Sequence, residues 1–241
     1  MKQYQPPRRT FLRRGCCGAF GLAASLSLPP THAAEVEKTN LTPDQALDRL
    51  KKGHADFLAD KPKVVSSRDS DRRLEIARGQ VPFAVLVGCS DSRVSPEVLF
   101  DTGLGELFIV RNAGNTVDTV ALGSIQYGVQ VLGAPLVLVL GHERCGAVEA
   151  ALSVVENNTT YPGSIGQMVE PIIPAALKAK SSGKLKGEEL LDAAVRENVR
   201  RVVERLRTSE PALLEPLRTG KLRVVGARYD LDDGKVDFFI E

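Results

Sequence analysis

Residues 82–93 run Pro-Phe-Ala-Val-Leu-Val-Gly-Cys-Ser-Asp-Ser-Arg, an apolar segment that ends in a cluster of reactive side chains. The apolar residues do not alternate with polar ones, which is typical of a strand buried on both faces of a parallel sheet. Three further apolar segments have the same character, at 106–110, 135–140 and 222–229. Together these segments predict four strands at the centre of the protein.

Segments between and after these strands have the spacing of amphipathic helices. They cover 119–132, 144–155, 162–180 and 188–207, and a shorter helix contains Leu74 and Ile76. Asp-Asp-Gly at 232–234 predicts a turn that pairs the last strand, 236–240, with the strand before it. The alternation predicts an α/β fold: a single domain with a mostly parallel central sheet, flanked by helices and ending in a C-terminal hairpin.

An N-terminal helical arm is predicted before the first strand. Thr42 followed by Pro43, with Gln45 three residues after the threonine, is a helix-start pattern. The helix is predicted over 43–59, and its apolar stripe consists of Ala46, Leu47, Leu50, Phe57 and Leu58. This stripe is expected to pack either on the chain's own domain or on a partner subunit.

Composition indicates a soluble protein with one domain. The chain has 241 residues, of which 43% are hydrophobic and 26% charged. No apolar run approaches the roughly 18 residues of a membrane-spanning helix. Five of the 32 basic residues precede residue 34, so residues 34–241 carry 27 basic and 30 acidic side chains. Nothing in this balance indicates a nucleic-acid partner.

The first 33 residues resemble a twin-arginine export signal. Arg-Arg-Thr-Phe-Leu at 8–12 is followed by a mildly apolar stretch at 16–28 and by the small-residue site Thr-His-Ala at 31–33. We expect cleavage after Ala33, a mature domain at 34–241, and a periplasmic or secreted location without stable membrane insertion. A basic disordered tail and an uncleaved tether are the alternatives.

Polar residues with metal-binding chemistry follow two of the predicted strands. Cys89, Asp91 and Arg93 come directly after the first strand, and His142 and Cys145 follow the third. Because ligands of α/β sheets gather at the carboxyl ends of strands, we expect these side chains to lie together. Two thiolates and one imidazole suit tetrahedral zinc, and three protein ligands leave a fourth position for water.

Three interpretations of this cluster compete. Cys89 and Cys145 are the only cysteines of the predicted mature chain, and in an exported protein such a pair ordinarily forms a disulfide. In the second interpretation Asp91 completes a closed structural zinc site. In the third, Arg93 holds the Asp91 carboxylate by two hydrogen bonds, and the metal keeps an open position for catalysis. A disulfide leaves His142 and the Asp91/Arg93 pair without a role. The third interpretation is favoured over a closed site because Arg93 lies two residues from Asp91 and can compete with the metal for its carboxylate.

The two motifs resemble those of the β-class carbonic anhydrases. Cys-Ser-Asp-Ser-Arg-Val at 89–94 and Gly-His-x-x-Cys-Gly at 141–146 carry the resemblance, which continues through Val-Arg-Asn-Ala-Gly-Asn at 110–115. It extends over roughly residues 42–240. The resemblance implies one zinc ion per subunit, held by Cys89, His142 and Cys145. It also implies Asp91 and Arg93 as the catalytic dyad, with Asp91 on the metal only in a closed form.

The same resemblance implies a set of substrate-binding residues. These are Gln80, Val94, Phe108, Ala113, Tyr127 and Gly146. Val94, Phe108 and Ala113 are expected to form the apolar wall of a carbon dioxide pocket. The chain has no tryptophan, and Leu86 stands where a subgroup inhibited by bicarbonate carries one. We therefore expect the open-site subgroup, in which Asp91 pairs with Arg93 and does not bind zinc.

The activity that the resemblance implies is the reversible hydration of carbon dioxide to bicarbonate and a proton. Zinc lowers the pKa of a bound water to about neutral, and Asp91 is expected to orient the resulting hydroxide. A homodimer or homotetramer is implied as well. Two alternatives stay open: hydrolysis of carbonyl sulfide or carbon disulfide at the same zinc site, and a zinc-binding protein without catalysis. His54 is expected to be an exposed helical side chain or a proton shuttle.

Overall fold

A five-stranded sheet forms the centre of the computed structural model, which describes residues 37–62, 69–181 and 183–241. The strands are β1 Ala84–Gly88, β2 Leu107–Arg111, β3 Leu136–His142, β4 Arg223–Tyr229 and β5 Val236–Ile240. Their order across the sheet is β2-β1-β3-β4-β5. The predicted export signal at 1–33 lies outside the described residues and stays a prediction.

The sheet is parallel except at one edge. β1 pairs in parallel with β2 on one side and with β3 on the other, and β3 pairs in parallel with β4. β5 returns antiparallel to β4, which confirms the predicted C-terminal hairpin and the α/β fold. The chain runs from β1 to β2 and then crosses back to β3, so the ends of β1 and β3 flank the point where the winding direction reverses. Open α/β sheets bind their ligands at such a point.

Nine helices surround this sheet within the described ranges. They are α1 Pro43–Leu58, α2 Ser70–Ile76, α3 Pro96–Leu99, α4 Thr119–Gln130, α5 Gly146–Asn157, α6 Gly163–Val169, α7 Ile173–Lys180, α8 Gly187–Thr208 and α9 Pro211–Arg218. The single helix predicted over 162–180 is wrong. A 3-10 turn at Glu170–Ile172 separates α6 from α7, because Pro171 has no backbone N–H to continue the helical ladder. The short helices α3 and α9 were not predicted.

The two faces of the sheet carry different apolar side chains, and helices cover both. Valines of β1, β3 and β4 pack with α4, α8 and α9 on one face. Leucines and alanines of the same strands pack with α1 on the other. Burial on both faces is the reason why the strand segments are continuously apolar, as the sequence pattern predicted.

Helix α1 packs on its own chain. Ala46, Leu47 and Leu50 are almost completely buried in the cluster that covers the leucine face of the sheet. The side chain of Thr42 accepts a hydrogen bond from the Gln45 backbone, and the Gln45 side chain accepts one from the Thr42 backbone. The predicted start of the helix is confirmed. Of the two packing partners that were predicted for its apolar stripe, the structure shows packing on the chain's own domain.

Both expectations for His54 are wrong, because its side chain is buried and locked in place. Its Nδ1 lies 3.1 Å from the Leu99 carbonyl oxygen, and its Nε2 accepts the Val236 N–H at 3.0 Å. The ring also packs beside Phe57 and Phe100. These contacts tie α1 to α3 and β5 and leave neither nitrogen free to carry protons. A sequence pattern that shows only the helix cannot show this, because the partners come from distant segments.

The buried imidazole predicts a loss of stability in mild acid. Burial lowers the pKa of His54 below its usual value of 6.5. As the pH falls through about 6.5, the unfolded chain therefore takes up a proton that the folded chain resists, and the free energy of unfolding decreases. Denaturant titrations of the zinc-saturated protein at pH 7.5 and 5.5 measure this. His54→Gln should show a smaller decrease than the wild type, and parallel pH profiles would contradict the assignment.

Candidate metal centre and active site

Three potential metal ligands meet at the carboxyl ends of β1 and β3. Cys89 follows β1, His142 is the last residue of β3, and Cys145 immediately precedes α5. Their ligand atoms all lie within 4.8 Å of one another, and all three residues are buried. The fold therefore brings together the three residues predicted as ligands, from segments more than 50 positions apart.

The donor set fits a zinc ion. The Sγ atoms of Cys89 and Cys145 are 4.0 Å apart and are not bonded to each other. Tetrahedral zinc with Zn–S bonds of about 2.3 Å places two sulfurs about 3.8 Å apart. Nδ1 of His142 lies 2.8 Å from the Glu143 carbonyl, to which it donates, while its fully buried Nε2 has no hydrogen-bond partner. An unpartnered buried nitrogen facing two thiols is accounted for by a metal ion.

The electrostatics of the two cysteines also favour a cation. The pKa of Cys89 lies well below the usual value, first because the thiol of Cys145 donates a hydrogen bond to its thiolate and then because the Gly114 amide donates another. The pKa of Cys145 is raised, because its thiol donates that bond and because its ionisation places a second negative charge beside the first in a buried site. Zinc between the sulfurs stabilises both thiolates and removes this conflict.

Asp91 is held beside the cluster by Arg93. The guanidinium donates from Nε to Oδ1 at 3.0 Å and from Nη2 to Oδ2 at 2.8 Å, and the Arg93 backbone N–H also reaches Oδ1. These bonds keep the pKa of the Asp91 carboxyl below its usual range. Oδ2 of Asp91 lies 3.8 Å from Nε2 of His142, near the metal position but outside the three-residue ligand cluster. The pairing expected for an open site is present.

Arg111, at the end of β2, holds the loop that carries Cys89 and Asp91. Its guanidinium donates to the Cys89 carbonyl at 2.7 Å and to the Asp91 carbonyl at 2.6 Å. The resemblance included the motif that contains Arg111, but no role for this arginine was predicted. The one feature of the sequence that could have indicated this role is the position of Arg111 at the end of the strand that pairs with β1.

Gly114 supports the first zinc ligand from a different direction. Its N–H donates to Cys89 Sγ at 3.3 Å, and its carbonyl accepts from the buried Asn198 on α8 at 2.8 Å. Gly114 has a positive φ of 66°. A Cβ built at this position would lie 2.6 Å from Ile172 Cδ1 and 3.1 Å from Ala147 Cβ. Neither Gly114 nor Asn198 was predicted as a support of the site.

Gly114→Ala is therefore expected to damage both folding and zinc binding. The added methyl must displace Ile172, and the left-handed backbone adds strain, so we expect a loss of about 2 to 4 kcal/mol in the free energy of unfolding. Displacing the amide from Cys89 Sγ should also weaken zinc binding by about tenfold. Gly220→Ala is the matched control, because Gly220 has a φ of +68° and open space around its Cβ position. Equal effects of the two changes would contradict the assigned role.

The predicted substrate residues lie in several parts of the described structure. Ala113 lines a cavity of about 520 Å³ beside the metal cluster, together with Ser90 and Asn112. Gly146 is exposed at the start of α5, next to Cys145. The predicted contribution of these residues to a substrate pocket stays a prediction.

Val94 and Phe108 lie on opposite faces of the sheet. Val94 is buried on the leucine face, whereas Phe108 packs against the valine face. The ring of Tyr127 lies tilted beside that of Phe108, with centroids 6.0 Å apart. Gln80 is exposed in the segment before β1. Within one chain, Val94 and Phe108 therefore lie in different apolar clusters, and the apolar wall that they were expected to share stays a prediction.

Comparisons with known proteins agree with the fold and with the metal cluster. A family model described as carbonic anhydrase matches residues 84–236. Carbonic anhydrase 2 of Mycobacterium tuberculosis is 41% identical over 196 residues, which is 81% of this chain and 92% of that protein. A carbonic anhydrase of Mycolicibacterium smegmatis is 39% identical over 82% of this chain and 94% of its own length.

Solved structures give the same result. A Coccomyxa β-carbonic anhydrase in complex with acetazolamide superposes with a TM-score of 0.65 at 30% identity, covering 81% of this chain and 85% of that one. The β-carbonic anhydrase CcaA superposes with a TM-score of 0.63 at 27% identity, covering 81% and 92%. The family model spans the segment from β1 to the start of β5, and with it the three clustered ligands. The chain belongs to the β-carbonic anhydrase family.

Proposed function

We propose that this protein is a zinc enzyme that reversibly hydrates carbon dioxide to bicarbonate and a proton. The observation that carries the proposal is the combination of three buried ligands with an ionised carboxylate that is held beside them and not among them. A purely structural zinc site does not require a carboxylate that lies beside the metal without binding it. Family membership supports the same activity.

The chain's own residues account for the binding and orientation that this reaction needs. Cys89, His142 and Cys145 hold the zinc, which when bound supplies a hydroxide nucleophile near neutral pH by lowering the pKa of a water. Asp91 is placed to accept a hydrogen bond from that nucleophile and would so orient it toward the substrate. Arg93 keeps that carboxylate ionised and directed toward the site. The Glu143 carbonyl fixes the tautomer of His142.

Zinc quantification combined with stopped-flow carbon dioxide hydration tests the proposal. We expect one zinc per chain and hydration far above the uncatalysed rate, with loss of activity after chelation and recovery on adding zinc. Assays with carbonyl sulfide and carbon disulfide run beside it, and faster turnover of either would assign the site to that chemistry. A full complement of zinc without hydration would identify a non-catalytic zinc-binding protein.

We further propose export by the twin-arginine pathway. The support is the residue pattern at 8–12 and 31–33. This route carries folded proteins, so zinc can be loaded before export and both cysteines reach the oxidising side as metal-bound thiolates. Fractionation should place the mature protein outside the cytoplasm, with a new N-terminus at Ala34. The double change Arg8→Lys and Arg9→Lys should retain it in the cytoplasm, and unchanged export would contradict the proposal.

We also propose a homodimer or homotetramer. Apolar side chains on α4 and at its C-terminal cap are left uncovered: Val120 is 77%, Tyr127 47% and Val131 40% exposed. An interface that covers α4 would place Phe108 and Tyr127 near a second subunit, whose residues could then contribute to the predicted pocket. Light scattering on the purified protein measures the mass directly, and a monomer at micromolar concentration would contradict the proposal.

Among the described helices, none has both the length and the apolar character needed to cross a bilayer.

A further inference from the structure

Arg144 has an unusual backbone conformation at a critical position. It lies between the ligands His142 and Cys145, and its φ is 50°. For a residue with a side chain, the left-handed region costs free energy, so a non-glycine residue stays there only when surrounding contacts hold it. A glycine would adopt this conformation without strain, but Arg144 adopts it at a cost in free energy.

Arg144 is held by the turn between β4 and β5 and also by its neighbour Glu143, whose Oε1 lies 3.3 Å from Nη1. Asp232 accepts two hydrogen bonds from the Arg144 guanidinium, at 2.9 Å from Nη1 and 2.6 Å from Nη2. Asp232 is in turn placed by Asp230, whose Oδ1 accepts the Asp232 N–H at 2.9 Å and whose Oδ2 pairs with Arg228. The bidentate pair thus connects a rigid turn to the loop of zinc ligands.

The Arg144 backbone directs groups on both sides of it into the site. The preceding carbonyl, that of Glu143, accepts the hydrogen bond from Nδ1 of His142 at 2.8 Å and so leaves Nε2 for the metal. The carbonyl of Arg144 itself lies 3.5 Å from Nη2 of Arg93, the partner of Asp91. The next residue is the ligand Cys145. A rotation at Arg144 therefore moves the orienting group of one ligand and the position of another.

We infer that Asp232 and Arg144 are positioning residues for the metal centre, with Asp232 anchoring the left-handed backbone of Arg144 that aims the ligand loop. The inference deepens the proposed function, on which its catalytic part rests, while its metal-binding part does not need catalysis. Neither residue touches substrate or the reacting atoms. Support of ligands by such outer contacts ordinarily changes metal affinity by about 10- to 100-fold when it is removed.

The positioning role can be separated from a general role in stability. The Asp232 side chain is 71% exposed, and exposed ion pairs contribute little to the stability of a fold. A similar pair lies on α9, which precedes β4. There Arg218 donates two hydrogen bonds to Glu215, at 3.0 and 2.9 Å. The Glu215 side chain is 67% exposed, close to the exposure of Asp232, so it controls for the loss of an exposed carboxylate from a bidentate pair.

The first experiment compares Asp232→Ala with Glu215→Ala in the full chain. Zinc affinity is measured by competition with a chromogenic chelator, and ligand geometry by the visible spectrum of the cobalt-substituted protein. We expect Asp232→Ala to bind zinc about tenfold more weakly and to alter the cobalt spectrum, with a melting temperature close to that of Glu215→Ala. Zinc affinity and spectrum equal to those of Glu215→Ala would overturn the inference, and so would unfolding of Asp232→Ala.

The second experiment tests whether the effect acts through the backbone of Arg144. Arg144→Gly and Arg144→Ala both remove the guanidinium, but only glycine adopts the left-handed conformation without strain. We expect Arg144→Gly to bind zinc at least about fivefold more tightly than Arg144→Ala. Adding Asp232→Ala to Arg144→Gly should change nothing further. Equal affinities of the two Arg144 variants, or a full Asp232 effect in the glycine background, would overturn the inference.

These readouts also separate the inference from the proposed function. Zinc affinity and the cobalt spectrum are defined even for a protein that does not hydrate carbon dioxide. If the wild type lacks hydration while Asp232→Ala still weakens zinc binding, the proposed function fails and the positioning role stands. If hydration is present and Asp232→Ala leaves zinc binding unchanged, the proposed function stands and the positioning role fails.

Discussion

Replacing Cys89 with serine is expected to abolish zinc binding and carbon dioxide hydration together. Serine has nearly the same shape as cysteine, but its hydroxyl stays protonated where the thiol ionises, so it is a poor zinc ligand. Two ligands remain at the site, His142 and Cys145. We expect far less than one zinc per chain and hydration at the uncatalysed rate, measured by elemental analysis and by stopped-flow on the same samples.

His142→Ala should give the same result by removing the imidazole. Because His142 is completely buried, this change also opens a cavity, so circular dichroism must show that the variant is folded. Cys89→Ser then serves as the variant that conserves volume. The other histidine among the described residues, His54, provides the control: His54→Gln should keep its zinc. A folded Cys89→Ser protein with one zinc and near wild-type hydration would refute the ligand assignment.

Replacing Asp91 with asparagine has the second largest expected effect, and a different signature. Asparagine conserves the shape of the side chain but removes the negative charge that pairs with Arg93 and accepts the hydrogen bond of the nucleophile. Since Asp91 lies outside the ligand cluster, zinc should be retained. We expect kcat/KM for hydration to fall by about 10²-fold or more, as when a positioned acid–base or electrostatic group is removed.

The comparison for this variant is Asp48→Asn, a change of the same chemistry on the exposed face of α1. It should leave hydration unchanged. Near wild-type rates in Asp91→Asn would refute the catalytic dyad. Crystals of the zinc-loaded protein at pH about 8, well above the reference pKa of aspartate, test the open site separately. An Asp91 oxygen on the metal there would assign the protein to the closed form.

Where sequence patterns failed, the missing information lay in distant contacts. The spacing that predicts helix 43–59 shows that His54 lies on it. It does not show that Nδ1 of His54 donates to the Leu99 carbonyl, or that Nε2 accepts the Val236 N–H. The motif that contains Arg111 shows a strand end, but not that its guanidinium reaches the carbonyls of Cys89 and Asp91. Such contacts join residues 20 to 182 positions apart, and no local pattern encodes them.

Residue order alone was enough for the class of the fold and for the chemistry of the metal site. Continuous apolar segments predict buried parallel strands because both faces of such a strand lose contact with water, and reactive residues at strand ends converge because parallel strands end on one edge. Tertiary contacts were needed to orient these residues. The left-handed Arg144 held by Asp232, and Gly114 wedged between Ile172 and Ala147, follow from packing among remote segments. Residue type and local spacing are enough to predict which residues bind the metal. The orientation of their side chains depends on contacts with residues that are distant in the sequence.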